Sequence, residues 1–533
     1  MDFNERLRLE AQTHLQLAKG DAEGSLNPRQ QDQAWDEVLL TTPLFTCAAS
    51  ERLAANKDSD ENDKESSVQY GLLGFRLQRP EGVPEAQSLV YANVSVPWSA
   101  FICGSQGSGK SHSLSCLLEN ALLPSSPAGR LTSPLAGLVI HYDRFTAFSS
   151  TQLCEAAYLY SSGIPVRVLV SPTNFVAMKT AYKKLAGGSN MLTVEPLYLP
   201  QKDLNIGMMK TLMGINGKAG QPLYVEVVMK ILRDMAISNQ GRAGFNYVEF
   251  KDKLTEENWI KGQLGPLNMR LDVLESFFEP GSVPGAAAPA NPPKKGSRNV
   301  WKFPPKSLTI IDLSCPFVDP EDACALFNIA VSLFLKDRHQ TGRVLAMDEA
   351  HKFLNDHSPE AVELTETLLS IVRQQRHIAT RVLIATQEPT LAPALLELCN
   401  TTIIHRFSSP AWYKSIQSHI AGANDHLTGL NNCLNGDIFR KIVQLATGEA
   451  LVFCPTALLD YERPTSRVPY DPGNSTGSED AELFQDAESD IDSRGPPLPL
   501  GPRCVHIRVR QRITKDGGRS LLELRKDKRY VIL

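Results

Sequence analysis

Short apolar runs alternate with longer amphipathic stretches through much of this chain, the pattern of strands buried on both faces and joined by helices. Phe101-Ile102-Cys103 predicts a strand, and Ser111 to Leu123 a helix with Leu114, Leu117, Leu118 and Leu122 on one face. Leu138-Val139-Ile140 and Val166 to Val170 predict two more strands. From 176 to 279 helical periodicity dominates, as in Leu223 to Ile237 and Leu264 to Phe278, which predicts a helical insertion. The strand pattern resumes at Leu308 to Asp312, Arg343 to Met347, Val382 to Ala385, Thr402 to Ile404 and Ala450 to Phe453. Amphipathic helices are expected at Asp322 to Lys336 and Val362 to Gln375.

Polar and Pro-rich segments punctuate this pattern and divide the chain. Residues 1–66 read as a charged helix and a flexible segment, and 67–175 as the first part of an α/β core. The helical insertion (176–279) is followed by a Pro/Ala-rich linker (280–299), then by the second part of the core (300–470). Residues 471–502 are acidic and then Pro-rich, with seven carboxylates between Glu479 and Asp492, and 503–533 form a basic strand and tail.

Composition narrows the class. With 533 residues, 42% hydrophobic and 21% charged, the chain is a soluble globular type built of more than one unit. A net charge of -4 gives no global attraction to nucleic acid, so such binding requires a local basic surface. The ten cysteines are scattered without zinc-ligand spacing and read as small buried hydrophobes of a reducing compartment. No apolar stretch is long enough to span a bilayer, and the N-terminus lacks a signal pattern, so a cytoplasmic or nuclear location is expected and no membrane partner.

The chemistry concentrates in two places. GSQGSGKS comprises Gly104, Ser105, Gln106, Gly107, Ser108, Gly109, Lys110 and Ser111, with His112 following. It is a phosphate loop between a strand and a helix, whose glycines let backbone amides curl around phosphates. Lys110 is expected on the β- and γ-phosphates and the Ser111 hydroxyl on Mg²⁺. At position 348, 238 residues beyond Lys110, the apolar strand Arg343 to Met347 ends in Asp348-Glu349. Asp348 is the expected metal ligand and Glu349 the group that polarises the attacking water. Gln387, at the end of the strand RVLIAT, is placed to sense the γ-phosphate or orient water. ATP and Mg²⁺ are thus the expected cofactors.

Several of these segments resemble the HerA–FtsK superfamily of hexameric DNA-pumping ATPases. MDEAHKFL (Met347 to Leu354) is similar to its carboxylate segment, Arg373 to His377 followed by RVLIATQEP to its arginine and sensor strand, and GEALVFCP (Gly448 to Pro455) to its last core strand. The resemblance implies a RecA-like P-loop core with a mostly parallel sheet, ATP hydrolysis, and a homo-oligomeric ring acting on DNA or RNA. It also implies that Arg376 completes a neighbour's site as an arginine finger, with Arg406 a second candidate. The chain departs from the pumps in its short N-terminal region and in lacking a winged-helix module. The letters DEAH invite a helicase reading, but the distance from the phosphate loop and the missing Q-R-x-G-R-x-G-R motif oppose it. An ATP-switched oligomeric scaffold is the alternative function.

In the tail, His506, Arg508, Arg510 and Arg512 alternate with Val505, Ile507 and Val509. This predicts an edge strand with a solvated basic face, which could track phosphates or contact a neighbouring subunit.

Overall fold

The computed structural model describes residues 38–46, 68–78, 85–144, 152–200, 204–213, 224–238, 245–259, 262–279, 300–336, 341–355, 358–389, 391–419, 435–461, 497–515, 521–523 and 530–532. The expectations for the N-terminal helix, the 280–299 linker and the acidic run fall almost wholly outside these residues.

The early strands are β1 (Leu44–Thr46), β2 (Tyr70–Arg76), β3 (Leu89–Asn93), β4 (Ser99–Cys103), β5 (Ser125–Ser126), β6 (Gly129–Arg130), β7 (Ala136–His141), β8 (Val166–Val170) and β9 (Leu192–Pro196). Then follow β10 (Ser307–Asp312), β11 (Arg343–Met347), β12 (Thr380–Thr386), β13 (Thr401–Ile404), β14 (Glu449–Phe453), β15 (Leu458–Tyr461), β16 (Pro497–Pro499) and β17 (Cys504–Val509). Eight of them lie in the parallel order β9-β8-β10-β7-β11-β12-β4-β13. The sheet then turns antiparallel through β14, β17, β2, β3 and β1.

One feature of this order decides the fold class. β12 lies between the phosphate-loop strand β4 and the carboxylate strand β11, in register with both. That is the RecA-like P-loop order expected from the sequence. It brings the C-terminal ends of β4, β11 and β12 side by side, where ligands of open α/β sheets bind.

Both faces of the inner parallel strands are covered, which explains their largely apolar composition. Phe101, Ile140, Ile311, Met347 and Ile384 face one core. That core is closed by α7 (Pro320–Lys336) and α8 (Pro359–Gln374) and by the helical insertion, Ile206–Leu212, Tyr224–Ser238, Tyr247–Glu256 and Leu264–Ser276. Alternate residues Ile102, Val139, Ile310, Ala346 and Ala385 face the other core, under α1 (Lys110–Leu122) and α2 (Phe175–Ala186). α8 starts where its sequence says it should: Ser358 caps it by accepting a bond from the Ala361 amide at 3.2 Å, and Pro359 holds the first turn.

Two differences from the sequence reading are structural. The stretch beginning at 176 contains core elements as well as inserted helices: α2 and the outer parallel strand β9. Only Leu192 of β9 is buried, so its apolar alternation is weak and the helical period around it dominates. β17 is an interior strand, hydrogen-bonded to β14 on one side and β2 on the other, and not the edge strand expected.

Candidate active site

The phosphate loop links β4 to α1. Gly104 (φ +155°), Gly107 (φ +72°) and Gly109 (φ +116°) all take positive φ. At Gly104 the need for glycine is also spatial, because a Cβ would lie 2.7 Å from His405 Cβ and from Ser108 Oγ. The Ser105 carbonyl accepts from Lys110 Nζ at 3.0 Å and from Ser108 Oγ at 2.7 Å. Ser105 itself donates through its amide and its hydroxyl to the Arg406 carbonyl, both at 2.8 Å. Gln106 and Gly107 are exposed at the tip, while Ser111 and His112 are half-buried at the start of α1. Burial pushes the Lys110 ammonium down, opposed by the carboxylates of Glu349 and Asp348.

Asp348 and Glu349 follow β11 directly. Both are buried, 5% and 4% exposed, which is costly for carboxylates without a cationic ligand. Burial pushes the Asp348 carboxyl up, with His141 pulling the other way. Glu349 adopts φ +53°, a left-handed conformation that a residue with a side chain adopts at a cost of about 1–3 kcal/mol. Its Oε1 accepts from Gln387 Nε2 at 3.0 Å. Its Oε2 is buried and makes no hydrogen bond, although His351 Nδ1 lies 3.4 Å away. That ring nitrogen faces the Gln387 amide at 3.4 Å, so its lone pair is already directed elsewhere. Burial also pushes the His351 imidazole down, toward the neutral form. Glu349 therefore presents one free carboxylate oxygen, the property a water-activating base requires.

Lys110, Ser111, Glu349 and Gln387 line one cleft of about 730 Å³. Asp348 lies just beneath it, close enough for its charge to act on Lys110. The donor set of the Ser111 hydroxyl and the Asp348 carboxylate is hard oxygen, which suits Mg²⁺.

Arg376 is not part of this cleft. It is exposed in the turn between α8 and β12, at the end of the sheet opposite the phosphate loop. Arg406, also exposed, follows β13 and carries the carbonyl that anchors Ser105.

The tail forms the cleft's outer wall, with Arg508, Val509, Arg510 and Gln511 along it. Its basic residues are largely engaged, contrary to the solvated face expected. Arg508 pairs with Glu449 at 2.8 Å, and Arg510 is 9% exposed and pairs with Glu119 at 2.7 Å. Arg510 also donates to the Leu72 and Cys116 carbonyls and to Asn120, while Arg512 faces Glu155 at 3.5 Å. His112, expected at the nucleotide, donates through Nε2 to the Arg510 carbonyl at 2.7 Å.

His405 is a site residue that the sequence did not reveal. It is fully buried under the loop, donating from Nδ1 to the Glu449 carbonyl at 2.9 Å and accepting at Nε2 from Ser113 Oγ at 2.9 Å. Burial pushes its imidazole down to about 4, so the ring is neutral and props the loop without adding charge. A polar residue closing the strand Thr-Thr-Ile-Ile was its only sequence signal.

No family model and no curated protein sequence matches the chain. Among solved structures, VirB4 of Thermoanaerobacter pseudethanolicus is similar at 12% identity over 72% of this chain and 93% of its own, with a TM-score of 0.44. The genome packaging NTPase B204 of Sulfolobus turreted icosahedral virus 2, in complex with ATP-gammaS, is 14% identical over 28% of this chain, with a TM-score of 0.20. The match spans 62% of that protein's length.

Proposed function

We propose that the protein is a MgATP-hydrolysing P-loop ATPase of the HerA–FtsK type, working as a ring-forming nucleic-acid translocase. The observation that carries the ATPase reading is the free oxygen of Glu349 in the same cleft as the phosphate-loop lysine. The loop amides and Lys110 would bind the phosphates of ATP, and Ser111 with Asp348 would hold Mg²⁺, which supplies charge neutralisation between the β- and γ-phosphates. Glu349 Oε2 would take the proton of the attacking water, and Gln387 would hold the other oxygen and so aim the carboxylate.

Arg376 lies too far round the molecule to serve its own cleft, so a role in hydrolysis requires a second copy of the chain. This supports an oligomeric motor. The engaged state of Arg510 and Arg512 favours a second reading, an ATP-switched scaffold, because it removes half of the basic face that would track phosphates.

Turnover measured with and without single- and double-stranded DNA and RNA, alongside the particle mass in ATP, separates the two. Stimulation by nucleic acid that falls steeply with salt supports the motor. ATP-dependent assembly with turnover indifferent to nucleic acid supports the scaffold. Absence of turnover in every condition rejects both.

A further inference from the structure

Beside the proposed nucleotide cleft, three buried side chains of different chemistry converge: His141 at the end of β7, Cys154 before the 3-10 segment Glu155–Ser162, and Asp348. Their potential ligand atoms all lie within 4.8 Å of one another. The fold creates this meeting. Because β7 and β11 pair in parallel with Ile140 opposite Met347, the next residues on each, His141 and Asp348, are neighbours across the sheet. The Asp348 amide bonds the Ile140 carbonyl at 3.1 Å and fixes that register.

The histidine is set up as a ligand. Its Nε2 lies 3.0 Å from the Gln152 carbonyl, which can only accept, so the N–H is on Nε2 and Nδ1 is the ring nitrogen available to a metal. Nδ1 is buried and has no hydrogen-bond partner, on a residue only 1% exposed. An orphaned acceptor in the interior is costly, and a metal ion is one group that satisfies it. A ligating histidine whose other nitrogen donates to a backbone carbonyl is also the usual arrangement around zinc.

The supporting contacts are built as well. The Gln152 amide donates to Asp143 Oδ2 at 3.1 Å, and Asp143 is gripped by Lys352 at 2.8 Å, so the carbonyl that orients His141 is held from behind. The Cys154 amide donates to the Tyr182 hydroxyl at 3.1 Å, and that hydroxyl in turn donates to Asp312.

We propose that His141 Nδ1, Cys154 Sγ and Asp348 form a site for a borderline-soft divalent cation, zinc by preference, with one position left for water. One nitrogen, one sulfur and one carboxylate oxygen suit Zn²⁺ and suit Mg²⁺ poorly. On binding, the Cys154 thiol gives its proton to solvent and coordinates as the thiolate. Because Asp348 is also the proposed Mg²⁺ ligand, zinc would withdraw it from the phosphates and act as an inhibitor. This last consequence rests on the ATPase reading, whereas the site itself does not.

The test titrates the full-length, nucleotide-free protein with CoCl₂ and then ZnCl₂. Wild type should bind one equivalent, with the visible spectrum of tetrahedral cobalt and a near-ultraviolet thiolate-to-cobalt band that zinc abolishes. Cys154→Ser should lose the thiolate band and weaken zinc binding at least about tenfold, as even lost outer contacts to zinc ligands cost about 10–100-fold. A thermal melt accompanies each variant, with Cys154→Ala as the substitute if the serine form is unfolded. If wild type shows no thiolate band, or a folded Cys154 variant binds zinc as wild type does, the site is rejected. Micromolar ZnCl₂ should inhibit MgATP turnover in wild type and leave folded Cys154→Ser active. Cobalt binding without any turnover would overturn the ATPase reading and leave the metal site standing.

Discussion

Glu349 shows how a single residue can be both strained and useful. Its left-handed backbone holds one carboxylate oxygen on Gln387 and leaves the other without a donor, an arrangement that folding alone would not favour. Glu349→Gln keeps the size and can still pair with Gln387, but it cannot take a proton. Single-turnover measurements should show hydrolysis falling by about 10²–10⁴-fold, while binding of a fluorescent ATP analogue stays within a few-fold. Unchanged turnover would remove Glu349 from the mechanism.

His405 makes a separate prediction at the same scale. An unfolded chain takes a proton on this imidazole near pH 6.5, whereas the buried ring resists protonation down to about 4. Its contribution to stability is therefore complete above about pH 6.5 and is lost as the pH falls through about 4. Across pH 7 to 4.5, His405→Asn should lose about 2–3 kcal/mol less stability than wild type, read by urea denaturation.

Among elements, the joint between α1 and the segment after β17 is held by a dense set of bonds to one buried carboxylate. Glu119 is fully buried and accepts from Arg510, from the Ile513 and Thr514 amides and from the Thr514 hydroxyl. Burial alone would raise its carboxyl, but the Thr514 and Arg510 bonds hold it below the usual range. Removing one partner strands the other charge in the interior, so Glu119→Ala should cost about 3–5 kcal/mol in denaturant unfolding. The double change Glu119→Leu with Arg510→Met should recover much of that loss, since a well-packed apolar pair of similar volume can replace a buried ion pair.

The same joint shows where sequence reading stops. The inner parallel strands were legible because each is a largely apolar run buried on both faces, whereas the outer strand β9, with only Leu192 buried, was not; the site residues were legible because polar chemistry follows those runs directly. Arg510 was misread because the two-residue alternation was carried past Val509, where β17 ends and the side chain is free to turn inward. Its partner lies 391 positions away, and such a pairing leaves no local pattern. The same holds for His141 and Cys154, whose spacing matches no zinc template and which meet Asp348 only through strand register.

For the whole molecule, one sheet joins the parallel half, which carries the cleft, to an antiparallel half through β14, and β17 is the strand that ties β2 to β14. Deleting residues 504–515 would leave β14 and β2 with unpaired edges and bare one wall of the cleft. The expected result is an aggregated or partly unfolded protein by size-exclusion chromatography and circular dichroism. A monodisperse variant with native-like melting would show that the two halves close without it.

The central place of β17 also bears on how the chain is made. On the ribosome, β2 emerges more than 400 residues before β17, the strand that pairs with the edge β3 leaves open. Until residue 509 has left the exit tunnel, β2 and β14 carry open hydrogen-bonding edges beside a formed apolar core, the state in which nascent chains associate wrongly. Synthesis of this protein should therefore depend on chaperones that shield strand edges, and the dependence should end only when β17 is inserted.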